Sequence, residues 1–182
     1  VKGMAKILKD TNKEIETLYI GGGTPTALEK EELDILITAL YKELDLSKIK
    51  EFTVEAGRPD SITREKLQVL LDHGIDRISI NPQTMNQKTL DIIGRRHTVV
   101  QVQEAFALAR EMGFSHINMD LIVGLPGETY EDVERTMQEV QRMAPDSVTV
   151  HSLAIKRAAR LSLFKDKYEE MGLKNNMQIM DM

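Results

Sequence analysis

The chain contains no cysteine. Disulfides, thiolate metal ligands and a cysteine nucleophile are therefore excluded from these residues. No apolar run approaches the roughly 18 residues that span a bilayer, and no signal-peptide pattern opens the chain; both absences point to a cytoplasmic protein with no membrane partner. A basic excess is missing too: Lys+Arg 24 against Asp+Glu 29 leaves a formal net charge of −5. That balance demotes nucleic acid as a partner, because a duplex binder needs a cationic face. The four histidines, His73, His97, His116 and His151, lack the i, i+4 spacing of a zinc-binding helix. No Ser-His-Asp order stands out, and there is no linker, low-complexity tract or short repeat. An initiator methionine is absent, and Asn175–Met182 stops without a cap. Both ends read as cuts in a longer protein.

What remains is an ordinary globular composition. Of 182 residues, 41% are apolar and 29% charged, which excludes a disordered or collagen-like chain and suffices for one domain with a sizeable core. Short apolar runs alternate with longer helical patterns. Strands are expected at Thr17–Ile20, Glu51–Glu55, Arg77–Asn81, Ile117–Val123 and Ser147–Leu153. Helices are expected at Met4–Lys13, Glu29–Leu44, Arg64–Asp72, Gln87–Ile93, Val100–Met112, Tyr130–Met143 and Leu161–Met171. Thr98 with Gln101 and Thr129 with Asp132 have N-cap spacing. Gly74 and Gly113 each follow a helical pattern closely, and Pro145 stops the pattern that precedes it.

Alternating strands and helices imply parallel strands joined by right-handed crossovers, in either a doubly wound sheet or a full or partial barrel. A sheet covered by helices on both sides reads apolar on both faces. Here one face carries Phe52, Val54, Ile78, Ile80, Ile117, Met119 and Leu121. The other carries Glu51, Thr53, Glu55, Arg77, Ser79, Asn81, Asn118 and Asp120. The polar face therefore lines a cavity, which favours an open or incomplete barrel with a wet lumen.

Several positions on that face or its rim carry chemistry. Gly21-Gly22-Gly23-Thr24-Pro25-Thr26 follows the first strand; it is neither a Walker loop nor a dinucleotide fingerprint. It is either a tight βα turn or, as three glycines with Thr-Pro-Thr suggest, a backbone that a ligand approaches closely. Glu55 lies at the carboxyl edge of its strand, where barrels bind ligands, although taken alone it reads more simply as a solvated loop carboxylate. Gln83, in Asn81-Pro82-Gln83-Thr84, occupies the same edge. Gly94-Arg95-Arg96-His97-Thr98 is either a solvated helix end or a carboxylate clamp. Asp120 stands out, since a carboxylate on the inward face of an apolar strand is costly without a partner. Arg95, a ligand hydroxyl or a ligand ammonium would serve. The histidines read as surface or loop residues, except His151, whose phase with Thr149 aims it at the lumen. The ten methionines read as core filler.

Tyr19–Thr26, Glu55, Gln83, Arg95-Arg96-His97-Thr98 and Asp120-Leu121-Ile122-Val123-Gly124-Leu125-Pro126-Gly127-Glu128-Thr129 together resemble the radical S-adenosylmethionine (SAM) enzymes. Within them the chain is most similar to the oxygen-independent coproporphyrinogen III oxidases, or dehydrogenases, from about Lys2 to Ala154; Ser79–Asn86 is similar to one bacterial subgroup. The resemblance implies a partial (β/α)6 barrel in an α/β chain, as a fragment missing its first strand. Residues 1–154 would supply barrel elements and residues 155–182 the start of the following region, all within a single core domain. Gly22, Gly23 and Thr24 would meet the methionyl amino end of SAM. Glu55, Gln83 and Arg95 would contact its ribose and carboxylate region. Asp120 would bind a ribose hydroxyl, with Ile122 and Ala154 packing near the adenine.

In that family a reduced [4Fe–4S] cluster cleaves SAM to a radical that abstracts hydrogen from a propionate of coproporphyrinogen III. Loss of CO2 and an electron then leaves a vinyl group in haem biosynthesis. The resemblance thus implies SAM and a [4Fe–4S] cluster as cofactors, with a tetrapyrrole and an electron donor protein as partners. The chain departs from the family in one respect: the Cys-x3-Cys-x2-Cys loop that holds the cluster is absent. Its place would be just upstream of Val1, and most of the carboxyl-terminal tetrapyrrole region is lacking as well. This polypeptide alone is accordingly expected to bind no cluster through its own side chains and to be inactive in SAM cleavage. A related haem chaperone and another radical SAM enzyme, such as a tRNA-modifying one, are the alternatives.

Overall fold

The computed structural model describes residues 2–11 and 13–153. In chain order the elements are α1 (Lys2–Thr11), β1 (Thr17–Ile20), α2 (Lys30–Glu43), β2 (Glu51–Gly57), α3 (Arg64–Asp72) and β3 (Arg77–Gln83). There follow α4 (Gln87–Ile92), α5 (Val99–Met112), β4 (His116–Val123), α6 (Tyr130–Met143) and β5 (Ser147–Ser152). Single 3-10 turns sit at Pro25–Ala27 and Pro59–Ser61. The expected helix Leu161–Met171 and the candidate Ala154 lie outside the described residues.

Local signals set most boundaries. Thr98 accepts from the Gln101 N–H while the Gln101 side chain returns to the Thr98 N–H, and Thr129 and Asp132 repeat this capping box at α6. Gly113 closes α5 in the left-handed region at φ 97°, with the Phe114 N–H reaching the Ala109 carbonyl. Only a residue without Cβ adopts that conformation at little cost. Ala144 takes the same role ahead of Pro145 at φ 52°.

All five strands are parallel, in the order β1-β2-β3-β4-β5. Sequential order decides between the two architectures. A doubly wound sheet reverses its winding to cover both faces, whereas a constant right-handed crossover lays every helix on one side and curls the sheet into a half-barrel. The helix side is dry: Val54, Ile78, Ile80, Ile117 and Met119 are fully buried. They meet the apolar stripes Leu33/Ile37/Leu40 of α2, Leu67/Leu70 of α3 and Val102/Ala105/Phe106/Ala109 of α5. Each fully buried aliphatic side chain contributes about 1.5–3 kcal/mol. The opposite face, with Thr53, Glu55, Arg77, Asn81, Asn118 and Asp120, stays partly accessible and forms the concave lumen.

Two strands run further than their sequence pattern indicates. Glu55 does not end β2, which continues through Ala56 to Gly57, and β3 continues through Pro82 to Gln83. Register shifts between Glu55 and Gly57 and between Ile80 and Gln83 explain the difference. A bulge leaves residues outside the ladder, so Pro82 needs no N–H there, and Gln83 is swung to φ 70°. Both irregularities lie at the carboxyl rim.

Candidate functional site

The glycine-rich loop is pinned at its far end and open in its middle. Thr26, fully buried, donates from Oγ1 to the Ala56 carbonyl and lies 2.7 Å from Ser61 Oγ, while Lys66 Nζ donates to the Thr26 carbonyl at 2.7 Å. The Gly22 N–H donates to Glu55 Oε2 at 3.1 Å. A Cβ on Gly21 would fall 2.1 Å from Tyr19 Cε1 and 2.6 Å from Glu55 Oε2, so that position is glycine because a ring and a carboxylate close over it. A Cβ on Gly22 or Gly23 would meet nothing within 4 Å. The loop therefore combines a structural glycine with an open backbone cradle.

Glu55 begins a hydrogen-bond chain that spans four strands, β2 to β5. Asn81 Nδ2 donates to Glu55 Oε1 at 2.9 Å, Ser79 Oγ donates to Asn81 Oδ1 at 3.0 Å, and Asn118 Nδ2 donates to Ser79 Oγ at 3.0 Å. The second Nδ2 hydrogen of Asn118 serves Asp120 Oδ1 at 2.6 Å. Asn118 Oδ1 accepts from Ser147 Oγ at 2.9 Å and Thr149 Oγ1 at 3.2 Å. Of the partners open to Asp120, Arg95 is not the one that pairs with it. Asn118, two residues along the same strand face, reaches the carboxylate first, and Arg95 lies at a different corner. Asp120 Oδ2 keeps its lone pairs for another donor.

Two hollows follow on this face. At the rim, Gly23, Thr24, Glu55, Gly57, Arg58, Asn81, Gln83 and Arg95 enclose a cleft of about 320 Å³. Below it, Tyr19, Ser79, Asn118, Asp120, Thr149 and His151 line the lumen. Tyr19 stands between them. Partial burial, then the negative charges of Glu55 and Asp120, push its phenol up to about 12, so it remains a proton donor. Burial, then the facing Arg58 guanidinium, hold Arg95 below the usual arginine value; no hydrogen bond or ion pair engages the Arg95 side chain among the described residues.

Of the expected site residues, Gly23, Thr24, Glu55, Gln83 and Arg95 share the rim cleft, and Gly22 bonds to its Glu55. Asp120 faces the adjoining lumen, and Ile122 lies on the same face of β4, opposite His151 in register. His151 lines the lumen as its phase implies. His97 does not lie at the surface: it is 1% exposed, with Nε2 bonded to the Pro82 carbonyl at 3.3 Å and Nδ1 without a partner. Burial foremost holds its pKa below 6.5. The reading by strand phase placed Asn81 and Asn118 on the lumen face but not their pairing, and it passed over Arg58, which lies beyond the end of β2.

The donor set suits a zwitterionic nucleoside: an open glycine cradle, the Arg95 guanidinium without a partner among the described residues, and the Asp120 carboxylate, which accepts a hydrogen bond from Asn118, for sugar hydroxyls. It does not suit an iron–sulfur cluster. The chain has no thiolate to offer, and among the described residues no group of His, Asp and Glu is arranged to hold a metal. Nor is any helix among them long and apolar enough to cross a membrane.

Comparison with known proteins bears on this geometry. The chain is 46% identical over 175 residues to the oxygen-independent coproporphyrinogen-III oxidase-like protein HemZ of Bacillus subtilis, covering 96% of this chain and 35% of that protein. It is 40% identical over 143 residues to the heme chaperone HemW of Lactococcus lactis, covering 79% and 38%. Against the oxygen-independent coproporphyrinogen III oxidase of Helicobacter pylori it is 34% identical over 152 residues, covering 83% and 33%. The chain thus spans about a third of the length of these curated relatives. Among solved structures, the coproporphyrinogen III oxidase HemN of Escherichia coli superposes with a TM-score of 0.76 at 24% identity, over 99% of this chain and 44% of that one. That likeness bears on fold alone. Residues 1–140 match the Radical SAM superfamily, and the chain belongs to it.

Proposed function

We propose that this chain is the SAM-binding core of an oxygen-independent coproporphyrinogen III dehydrogenase. The whole protein would convert propionate side chains of a tetrapyrrole to vinyl groups by oxidative decarboxylation. The observation that carries the reading is convergence: Gly23, Thr24, Glu55 and Gln83 come from three βα junctions and Arg95 from the α4–α5 turn into one cleft. When bound, SAM supplies one-electron, hydrogen-abstracting chemistry, and the protein supplies position and exclusion of water. The chain's own part is binding. Carbonyls of the open glycine loop and Thr24 Oγ1 accept from the ammonium, Arg95 takes the carboxylate, and Gln83 and Glu55 hold the ribose side. Asp120 accepts from a ribose hydroxyl, with Ile122 beside the base. Cluster ligands and tetrapyrrole contacts would come from outside these residues, which makes this chain alone inactive.

A second reading, a haem chaperone, has support in the 40% identity to HemW. Turnover of coproporphyrinogen III against retention of haem by the protein separates the two. The shared core is tested by calorimetry with SAM. Asp120→Ala is expected to weaken binding by about 1–3 kcal/mol, the usual cost of losing a charged hydrogen-bond partner. Equal affinities for both proteins would refute the assignment of Asp120.

A further inference from the structure

Arg58 follows the last residue of β2. Gly57, at φ 65° and packed so closely that a Cβ would lie 3.0 Å from Thr24 Cγ2, swings the chain off the strand beside the glycine loop. The backbone of Arg58 is then clamped: its carbonyl accepts from Ser61 N–H at 2.9 Å and Ser61 Oγ at 2.7 Å. The side chain enters the cleft and finds no hydrogen bond there. Its Nε is buried without a partner, and the nearest carboxylate oxygen, Asp60 Oδ1, stands 3.7 Å away, beyond hydrogen-bond reach. Arg95 reaches the same cleft from the turn after α4, likewise unpaired among the described residues. The third charged group on the wall, Glu55, has both oxygens engaged by the Gly22 N–H and Asn81. The cleft therefore presents one guanidinium, Arg95, without a partner among the described residues and a second, Arg58, held only by a 3.7 Å ion pair to Asp60, while the Glu55 carboxylate on the same wall is engaged by neutral donors.

Two guanidinium groups on one cleft wall, neither hydrogen-bonded to a carboxylate, are favourably placed for an anion that joins them. One carboxylate has two oxygens and about four acceptor sites, enough for both forks. We propose that Arg58 is a second binding residue for the ligand's carboxylate, gripping the oxygen that Arg95 leaves free. This rests on the SAM reading above and deepens it, since it makes the cleft selective for a ligand that retains its amino-acid carboxylate. The pair also links occupancy to loop order: a bound carboxylate removes the repulsion between Arg58 and Arg95 and ties the β2–α3 turn to the α4–α5 turn.

The test is calorimetry with two probes, SAM and decarboxylated SAM, which differ only in that carboxylate. The wild-type chain should prefer SAM. Arg58→Gln should lose about 10-fold in affinity for SAM, the scale of one charge-assisted hydrogen bond at a partly solvated site. Its affinity for decarboxylated SAM should not fall. Arg58→Lys, which keeps charge but not the planar fork, should fall between them and serves alone if Arg58→Gln does not fold. Equal losses for both probes in Arg58→Gln and Arg58→Lys, or none for either, would overturn the role of Arg58. A wild-type chain that binds neither probe would overturn the SAM reading itself.

Discussion

Gly23→Ala separates a built ligand cradle from a tight turn, because the two demand opposite things of that position. Gly23 is not among the glycines in the left-handed region, so alanine can take its conformation without strain. Its Cβ would meet nothing within 4 Å, and the position lines the rim cleft. In the absence of ligand the substitution should be neutral or stabilising by about 0.4–1 kcal/mol, through the reduced freedom of the unfolded chain. With ligand, the added methyl occupies space that the cradle leaves for it, and overpacking a fitted contact costs about 1–3 kcal/mol. SAM affinity should fall roughly 5- to 150-fold. Gly21→Ala is the control, since its Cβ collides with Tyr19 Cε1 and Glu55 Oε2. Tyr19, 57% exposed, can swing away, but Glu55 must give up two hydrogen bonds. That variant should lose stability, by about 1–3 kcal/mol, as well as affinity. Urea midpoints measure the first quantity and calorimetry the second. Gly23→Ala binding SAM as wild type does would refute the cradle, and a stability loss above about 1 kcal/mol would show the glycine to be a backbone requirement.

His97 makes stability depend on pH. Burial foremost keeps it neutral in the fold, while the unfolded chain takes up a proton below about 6.5, so the unfolded state binds more protons and stability falls as pH drops through that value. Urea midpoints measured from about pH 7.5 down to 5 should slope less steeply in His97→Gln, and identical slopes would exclude His97 as the source. Thr98→Ala should cost about 1 kcal/mol by opening the capping box of α5, read from the same denaturation curves without change in SAM affinity.

The fold was legible because its determinants are local or periodic. The spacings Thr98-x-x-Gln101 and Thr129-x-x-Asp132 state where α5 and α6 begin, and each box forms. The split between Ile78/Ile80 and Arg77/Ser79/Asn81 states that one face of the sheet is dry and the other wet, which excludes helices on both sides. What the pattern could not state is where β2 and β3 end. Their last residues lie beyond bulges, where ladder pairing stops tracking the alternation of side chains, so Ala56-Gly57 and Pro82-Gln83 looked like turns while still belonging to strands.

The site was legible to the extent that a residue's cost can be seen without its neighbours. Asp120 announces itself because an inward carboxylate on an apolar strand requires a partner somewhere, and three glycines in a row lose too much backbone entropy to be idle. Partners are another matter. Asp120 pairs with Asn118 rather than Arg95 because a strand brings every second side chain to the same face, whereas the Arg95 turn is aimed by Gly94 at positive φ. Arg58 reads as an ordinary solvated turn cation until Gly57 is seen at positive φ, packed on Thr24, redirecting it into the cleft. His97 reads as one more charge in a basic turn until the β3 bulge presents the Pro82 carbonyl to its ring. In all three cases the deciding quantity is a bulge or a left-handed residue at the carboxyl rim. Those are the features that re-aim side chains toward a ligand, so the rim is where strand phase stops informing about function and geometry begins to.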